Sequence, residues 1–483
     1  TNGVINWDSG AMTITPAVTP VTVTSGGNQI DFEAAQLVDG GATRVVNFNA
    51  GAGNITFGEV DMTSPGSGIA VNGAGSLRFG DDITTANGLD FSTFVAPGNT
   101  ARMLSNVRIT SNAGAIDFAQ NNAVNINGSH SSELSASATV FLAGVGTAGA
   151  DPTALTVSGA SAELYGFIQV DGDIDFTDTP STVLQANITV DSSGGGNTLF
   201  QGSDISGAGR TVDFVAGGGN NITLSQLGAN GSELGGVTFT SADDLALYGD
   251  VFTDGGLDFA NAATVSLPGG GVNVETDSDG GNIDFGGTPL DGTAGFSADA
   301  GAGDISFFAV GQTTALSFVT ASCTGTCTLN RDIQTDGGDI DLTGCADVEL
   351  ATEPTITLDT ELGDDNDAGA VLFAAGSAVD SVATSALDID TAVAAGNHDG
   401  GNVTLGSVGS TDAVGGLTVA STGSGTGGDG TVTLNGDIST DGTGIDLSGS
   451  STVSLAATLD MNTTAGGINL GSTDNTTVTG GGG

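Results

Sequence analysis

A short motif returns along this chain and narrows its fold more than any other feature: a Gly-rich turn, then an apolar, a polar and an apolar residue. Copies are Ile30-Asp31-Phe32, Leu89-Asp90-Phe91, Ile116-Asp117-Phe118, Ile174-Asp175-Phe176, Val212-Asp213-Phe214, Leu257-Asp258-Phe259 and Ile283-Asp284-Phe285. Ile55-Thr56-Phe57, Ile305-Ser306-Phe307, Val403-Thr404-Leu405 and Val432-Thr433-Leu434 keep the two apolar positions and change the polar one. Alternation with period two marks a strand with one face buried and the other in water.

A longer period lies above this one. The last apolar residue of the leading motif in each repeat is Trp7, Phe91, Phe176, Phe259, Leu342 and Leu447, at intervals of 84, 85, 83, 83 and 105. Repetition at two scales predicts an all-β chain wound as a parallel β-helix, or solenoid, of about 22–25 residues per coil and four coils per 84-residue unit. Its apolar residues would stack inward in ladders. The units fall at about 1–79, 80–165, 166–248, 249–329, 330–434 and a partial 435–483, and make one continuous array over 1–483. The long interval exceeds its predecessor by the length of one coil, and 330–434 is read as holding one extra coil. The alternative is a row of Ig-like β-sandwiches of the same length. Against it stand the lack of a recurring Trp and of a Pro-rich linker.

Composition separates function classes. The chain carries 56 acidic residues against six basic ones, all arginine, for a formal charge of −50. Such a surface is repelled by phosphate backbones and anionic headgroups, so nucleic acid is not an expected partner. No apolar run reaches the length of a membrane span, so membrane insertion is not expected either. Crowded carboxylates are relieved by salt or divalent cations, which suits a secreted protein at an extracellular cell surface. A start at Thr1 without a basic leader fits a mature or excised segment. Neither end shows an obvious cap, so end-to-end self-association or continuation into a longer fibre is expected.

Of the three cysteines, Cys323 and Cys327 are spaced for a small disulfide loop, leaving Cys345 odd. No cofactor is required by any motif, and calcium is the one ion the acidic turns suggest. Glu275, Asp277 and Asp279 alternate before a glycine, Asp171, Asp173 and Asp175 alternate through VDGDID, and Asp364, Asp365 and Asp367 form a third acidic turn. The rival reading of all three is a solvated turn. For catalysis, carboxylates would have to converge on one place. Asp90, Asp175, Asp258, Asp341 and Asp446 instead hold the same position in successive units, so the chain reads as a non-enzyme, with a β-helix polysaccharide lyase or hydrolase as the enzymatic alternative.

The stretches GGNIDF, GNITFGEV, VTLNGDISTDGTGIDLSGSSTVSL and GGLTVASTGSGTGGDGTVTLNGDI resemble the repeat regions of secreted filamentous-haemagglutinin-like proteins and autotransporter adhesins of Gram-negative bacteria. That resemblance implies a right-handed β-helix exported as a surface fibre, working in attachment to a surface or glycan ligand or as a stalk. A calcium-rigidified tandem-domain adhesin is the alternative within the same class.

Overall fold

The computed structural model of the protein describes residues 5–7, 10–14, 20–73, 75–91, 100–119, 124–146, 151–276, 280–351, 353–363, 366–456, 458–471 and 477–480. No helix occurs among the described residues. The chain is a parallel β-solenoid of about 18 turns, and the sandwich alternative is not favoured. Contacts divide it into two units, one of residues 1–234 with 240–243 and one of 235–239 with 244–483.

In the first unit each coil contributes strands to three faces. Ile5–Asn6, Ile30–Phe32, Ile55–Phe57 and Leu77–Phe79 stack on one. Ala35–Val38, Val60–Met62 and Ile83–Thr85 stack on the second. Val45–Asn49, Gly68–Val71, Leu89–Asp90, Ile116–Asp117, Thr139–Leu142 and Ser161–Leu164 stack on the third. From Ile30 onward the inward residues of these columns are buried, whereas Trp7 of the first coil is 42% exposed. Phe32, Phe48, Phe57, Phe79, Phe91 and Phe118 form a continuous file of edge-to-face and stacked rings with centroids 4.8–6.0 Å apart. Such ring pairs add about 0.5–1.5 kcal/mol each beyond the area they bury.

The register explains the long period and revises the four-coil unit. Trp7, Phe32, Phe57 and Phe79 occupy successive coils of one face, and Phe91, reached before that coil is complete, lies two faces further on. Phe91, Phe118, Leu142 and Leu164 repeat the pattern, and Phe176 again follows within the same coil on another face. One 84-residue repeat is therefore three coils and two faces. The leading motif visits all three faces in turn, so the repeat is a unit of sequence and the coil is the unit of structure.

In the second unit the same step holds. Phe259, Phe285, Phe307 and Leu329 stack, and Leu342 follows by the same part-coil step. Leu342, Phe373, Leu405 and Leu434 stack next, and the step recurs from Leu434 to Leu447. The longer fifth interval thus contains no extra coil. Its surplus lies in loops at one corner, where a buried hydroxyl donates to the carbonyl of the glycine that re-enters the next strand. Thr335 reaches Gly338, three residues on, at 2.6 Å. Thr360 reaches Gly369, nine on, at 2.8 Å; Thr391 reaches Gly401, ten on, at 2.9 Å; and Ser421 reaches Gly430, nine on, at 3.3 Å. These glycines stack so closely that a Cβ on Gly401 would sit 1.8 Å from the Gly369 carbonyl oxygen.

Candidate functional site

The aspartates of the motif hold turns. Asp31, Asp117, Asp175, Asp258, Asp284, Asp341 and Asp446 each accept the backbone N–H two residues on, at 2.7–3.1 Å. Asp31, Asp117, Asp175, Asp258 and Asp284 do so at the corner where their strands end, as short Asp side chains do in turns, and Asp341 and Asp446 do so within strands that continue to Leu350 and Gly449. A second set sits just before the motif and joins coil to coil. Asp173 accepts the N–H of Asn197 at 2.8 Å, and Asn197 accepts that of Asn221 at 2.9 Å. Asn282 accepts from Asp304 at 2.9 Å, and Asp304 accepts from Thr326 at 2.8 Å. Asp and Asn alternate freely in these ladders, so the accepting oxygen matters there and the charge does not.

These roles account for several residues expected to hold calcium. Asp175 caps its own turn and takes the Thr177 hydroxyl, Asp173 serves the inter-coil ladder, and Asp171 is exposed in the turn before them. Strand geometry begins only at Ile174, so the three do not line one strand face. Glu275 lies in Val272–Thr276 beside Asp299 of the next coil, while Asp277 and Asp279 fall outside the described residues. Asp364 and Asp365 also fall outside them. Asp367 is described and exposed. It accepts the N–H of Asp399 at 3.0 Å and lies 3.3 Å from His398 Nδ1, and these two partners hold its carboxyl below the usual carboxylate range. Among the described residues no group of three or more His, Cys, Asp or Glu side chains is arranged to hold a metal ion.

The cysteines depart from the expected pairing. All three sulfurs are unbonded in the structure and have exposures of 0–1%. Cys323 Sγ lies 3.4 Å from Cys345 Sγ, and the expected Cys323–Cys327 bridge is not formed. The reason is the register: Cys323 and Cys345 are paired rungs of adjacent coils, whereas Cys327 lies beyond a register shift and pairs with Val348.

A concave feature that gathers polar and apolar groups lies on the third face of the first unit. It is a groove of about 530 Å³ lined, among others, by Gly68, Gly88, Ala115, Asp90, Asp117 and Phe141. A Cβ on Gly68 would lie 2.7 Å from the Gly88 carbonyl oxygen, so the backbones of the two coils approach closely there. Ala70, Asp90, Asp117, Phe141 and Glu163 are successive rungs of one outward column. Phe141, though outward, is only 9% exposed because it packs on Ala119, Ala143, Ala115 and Tyr165. The Tyr165 hydroxyl donates to Glu163 Oε2 at 2.8 Å, and Gln185 donates to the same oxygen at 3.0 Å. Burial and the Glu163 carboxylate push the Tyr165 phenol up to about 12. The groove therefore offers carboxylate acceptors beside an aromatic wall. Motif reading placed Asp90 and Asp117 in the repeat without showing that they share a groove; the signal was the neighbouring Gly and Ala at the residue before each strand.

The chain matches no protein-family model, no curated protein and no solved structure.

Proposed function

We propose that this protein is a structural and adhesive element of an extracellular surface fibre, a non-enzymatic solenoid that carries a ligand groove on one face. The observation that carries this reading is the repeated use of aspartate to cap turns and join coils. Residues that would cluster in a dedicated active site are here distributed along the scaffold. The resemblance of its repeats to filamentous-haemagglutinin-like adhesins supports the same reading, as does a net charge suited to a saline exterior. In this role nucleic acid and the bilayer interior are not partners, copies associate end to end, and calcium is an accessory ion of exposed acidic turns.

The groove suits a hydroxyl-rich ligand such as a surface glycan: the partly exposed Asp90 accepts hydrogen bonds from hydroxyls, beside a wall in which Asp117 and Phe141 are mostly buried. Binding of the purified protein to a panel of acidic and neutral glycans tests this. Retention of one glycan class, lost on Phe141→Ala and on Asp90→Asn, is the expected result. Equal binding by wild type and both variants would contradict it.

A second reading follows from Asp90 and Asp117 as adjacent rungs in that groove, since paired carboxylates are the equipment of glycoside hydrolysis. Turnover of any polysaccharide in the panel, abolished by Asp90→Asn with the fold intact, would replace the adhesive reading by an enzymatic one.

A further inference from the structure

The three thiols occupy a corner of the second unit at which other coils use a hydroxyl. Thr253 donates to the Gly255 carbonyl at 2.7 Å and Thr276 to that of Gly281 at 2.6 Å, each closing the turn before a strand. At the equivalent place Cys323 Sγ lies 3.7 Å from the Gly325 carbonyl. It is a weak donor in a hydroxyl's position, and Cys345 is stacked on it from the following coil at 3.4 Å. Paired rungs of neighbouring parallel strands stand about 4.8 Å apart, inside the Cα separation of about 4.4–6.8 Å that a disulfide requires. Cys345 also contacts Cys327, so it sits between the other two thiols.

We propose that Cys323 and Cys345 form an inter-coil disulfide that staples two successive turns of the solenoid, with Cys327 remaining as a buried free thiol. The oxidant is a disulfide of the thiol–disulfide exchange class. A thiolate of Cys323 attacks one sulfur of that disulfide and releases one thiolate. Cys345, as its thiolate, then attacks the Cys323 sulfur of the mixed disulfide and releases the second. Two protein thiols give up two electrons and two protons, and the oxidant leaves as two thiols. The bond closes as the coils stack during folding. In the finished structure the pair is nearly inaccessible. Contact with Cys345 and burial push the Cys323 thiol up; for Cys345 the contact from Cys323 acts downward, but Cys327 and burial prevail and raise it. The bridge closes a loop of 22 residues, each side anchored in a parallel ladder.

The sequence supplies a direct assay. The basic residues are six arginines, and Arg331 separates Cys323 and Cys327 from Cys345. The full chain is denatured, reduced, refolded with an oxidised and reduced glutathione mixture, then unfolded again in denaturant with a maleimide present so that buried thiols are also blocked, and digested with trypsin without reduction. The expected result is one maleimide per chain. Peptide 211–331 should remain joined to the peptide beginning at Asp332, and fragmentation should place the link at Cys323. The Cys327→Ser variant should give the same joined pair with no maleimide. Three maleimides per folded wild-type chain, a link confined to peptide 211–331, or a link at Cys327 would each overturn the proposal. Since the wild-type digest alone reads the connectivity, failure of the variant to fold leaves the test intact. Neither outcome depends on glycan binding, so the staple and the adhesive reading stand or fall separately.

Discussion

Two homologous stretches of the second unit show which part of the design is fixed. From Phe259 to Leu329 the motif passes through three short coils, by way of Phe285 and Phe307; from Leu342 to Leu434 it passes through three longer ones, by way of Phe373 and Leu405. Both keep the parallel register and the inward apolar column, and both end with the same part-coil step to the next copy of the motif. They differ in the loops, and the surplus of the longer stretch lies at the corner before Ile340, Val371, Val403 and Val432, where the span from hydroxyl to glycine grows from three residues at Thr335 to nine or ten at Thr360, Thr391 and Ser421. The ladder and the return glycines determine the coil, and the chain between hydroxyl and glycine is free to lengthen. They differ also in filling: Phe259, Phe285 and Phe307 stack as rings 4.7 and 5.8 Å apart, whereas Leu342, Leu405 and Leu434 take that place in the longer coils.

If the ladder carries the stability, its largest single loss comes from a ring at the centre of the aromatic file. Phe285→Ala should destabilise by about 3–5 kcal/mol, measured by denaturant unfolding, because it leaves a ring-sized cavity between two others. A loss below about 1 kcal/mol would mean that the file is not a packed core.

Gly401→Ala comes next, at about 3 kcal/mol, although it adds a single methyl group. That methyl meets a backbone carbonyl oxygen which cannot move without shifting the coil below. A tolerated alanine would show that the return corner is looser than the short coils imply.

Replacing residues 392–400 by Asp-Gly, the span that Thr335 and Gly338 enclose, removes far more chain. It should still change stability by about 1 kcal/mol or less, since loop closure depends only weakly on length. Unfolding on this replacement would contradict the division between fixed ladder and free loop.

The smallest effect is one of pH, and it falls in the first unit. Burial pushes the Asp39 carboxyl up, but the N–H groups of Ser64 and Gly41 and the hydroxyls of Ser64 and Ser67 outweigh it and hold the carboxyl below its ordinary value. Its folded value is depressed, so its contribution is complete above the unfolded carboxylate value of about 3.9 and disappears as pH falls through the lower folded value. Melting followed from pH 6 to pH 2 should show wild type losing about 1 kcal/mol or less relative to Asp39→Asn in that window. Parallel curves would mean that the ionised form gains nothing from these bonds.

Much of the architecture was legible because the solenoid imposes it locally. Ile30-Asp31-Phe32 and its copies alternate as half-buried strands must, and they are strands. The number of coils per repeat was not legible, because the motif returns on a different face each time and spacing alone does not show the two-face step from Phe79 to Phe91. The surplus in the fifth repeat matched one coil in length, yet it is divided among the corners after Thr360, Thr391 and Ser421. The expectation of a solenoid was met, but that part of the reasoning for it was not. At the candidate sites, acidic spacing suggested ligands for a cation where Asp173 and Asp175 serve backbone N–H groups. Hydrogen-bond partners of this kind come from the coil above or from the chain two residues ahead, and composition records neither. The Cys323–Cys345 contact was hidden for the same reason: the two residues meet only through the register of neighbouring coils.

The central claim is that coils stack in parallel register on three faces and that insertions collect at one corner. High-resolution electron cryo-microscopy of the purified protein tests it most directly. The account predicts rungs about 4.8 Å apart along each described unit, with extra density between residues 340 and 434 confined to the corner that follows Thr360, Thr391 and Ser421. Antiparallel sheets packed as separate sandwiches, or a complete additional coil within 340–434, would contradict it.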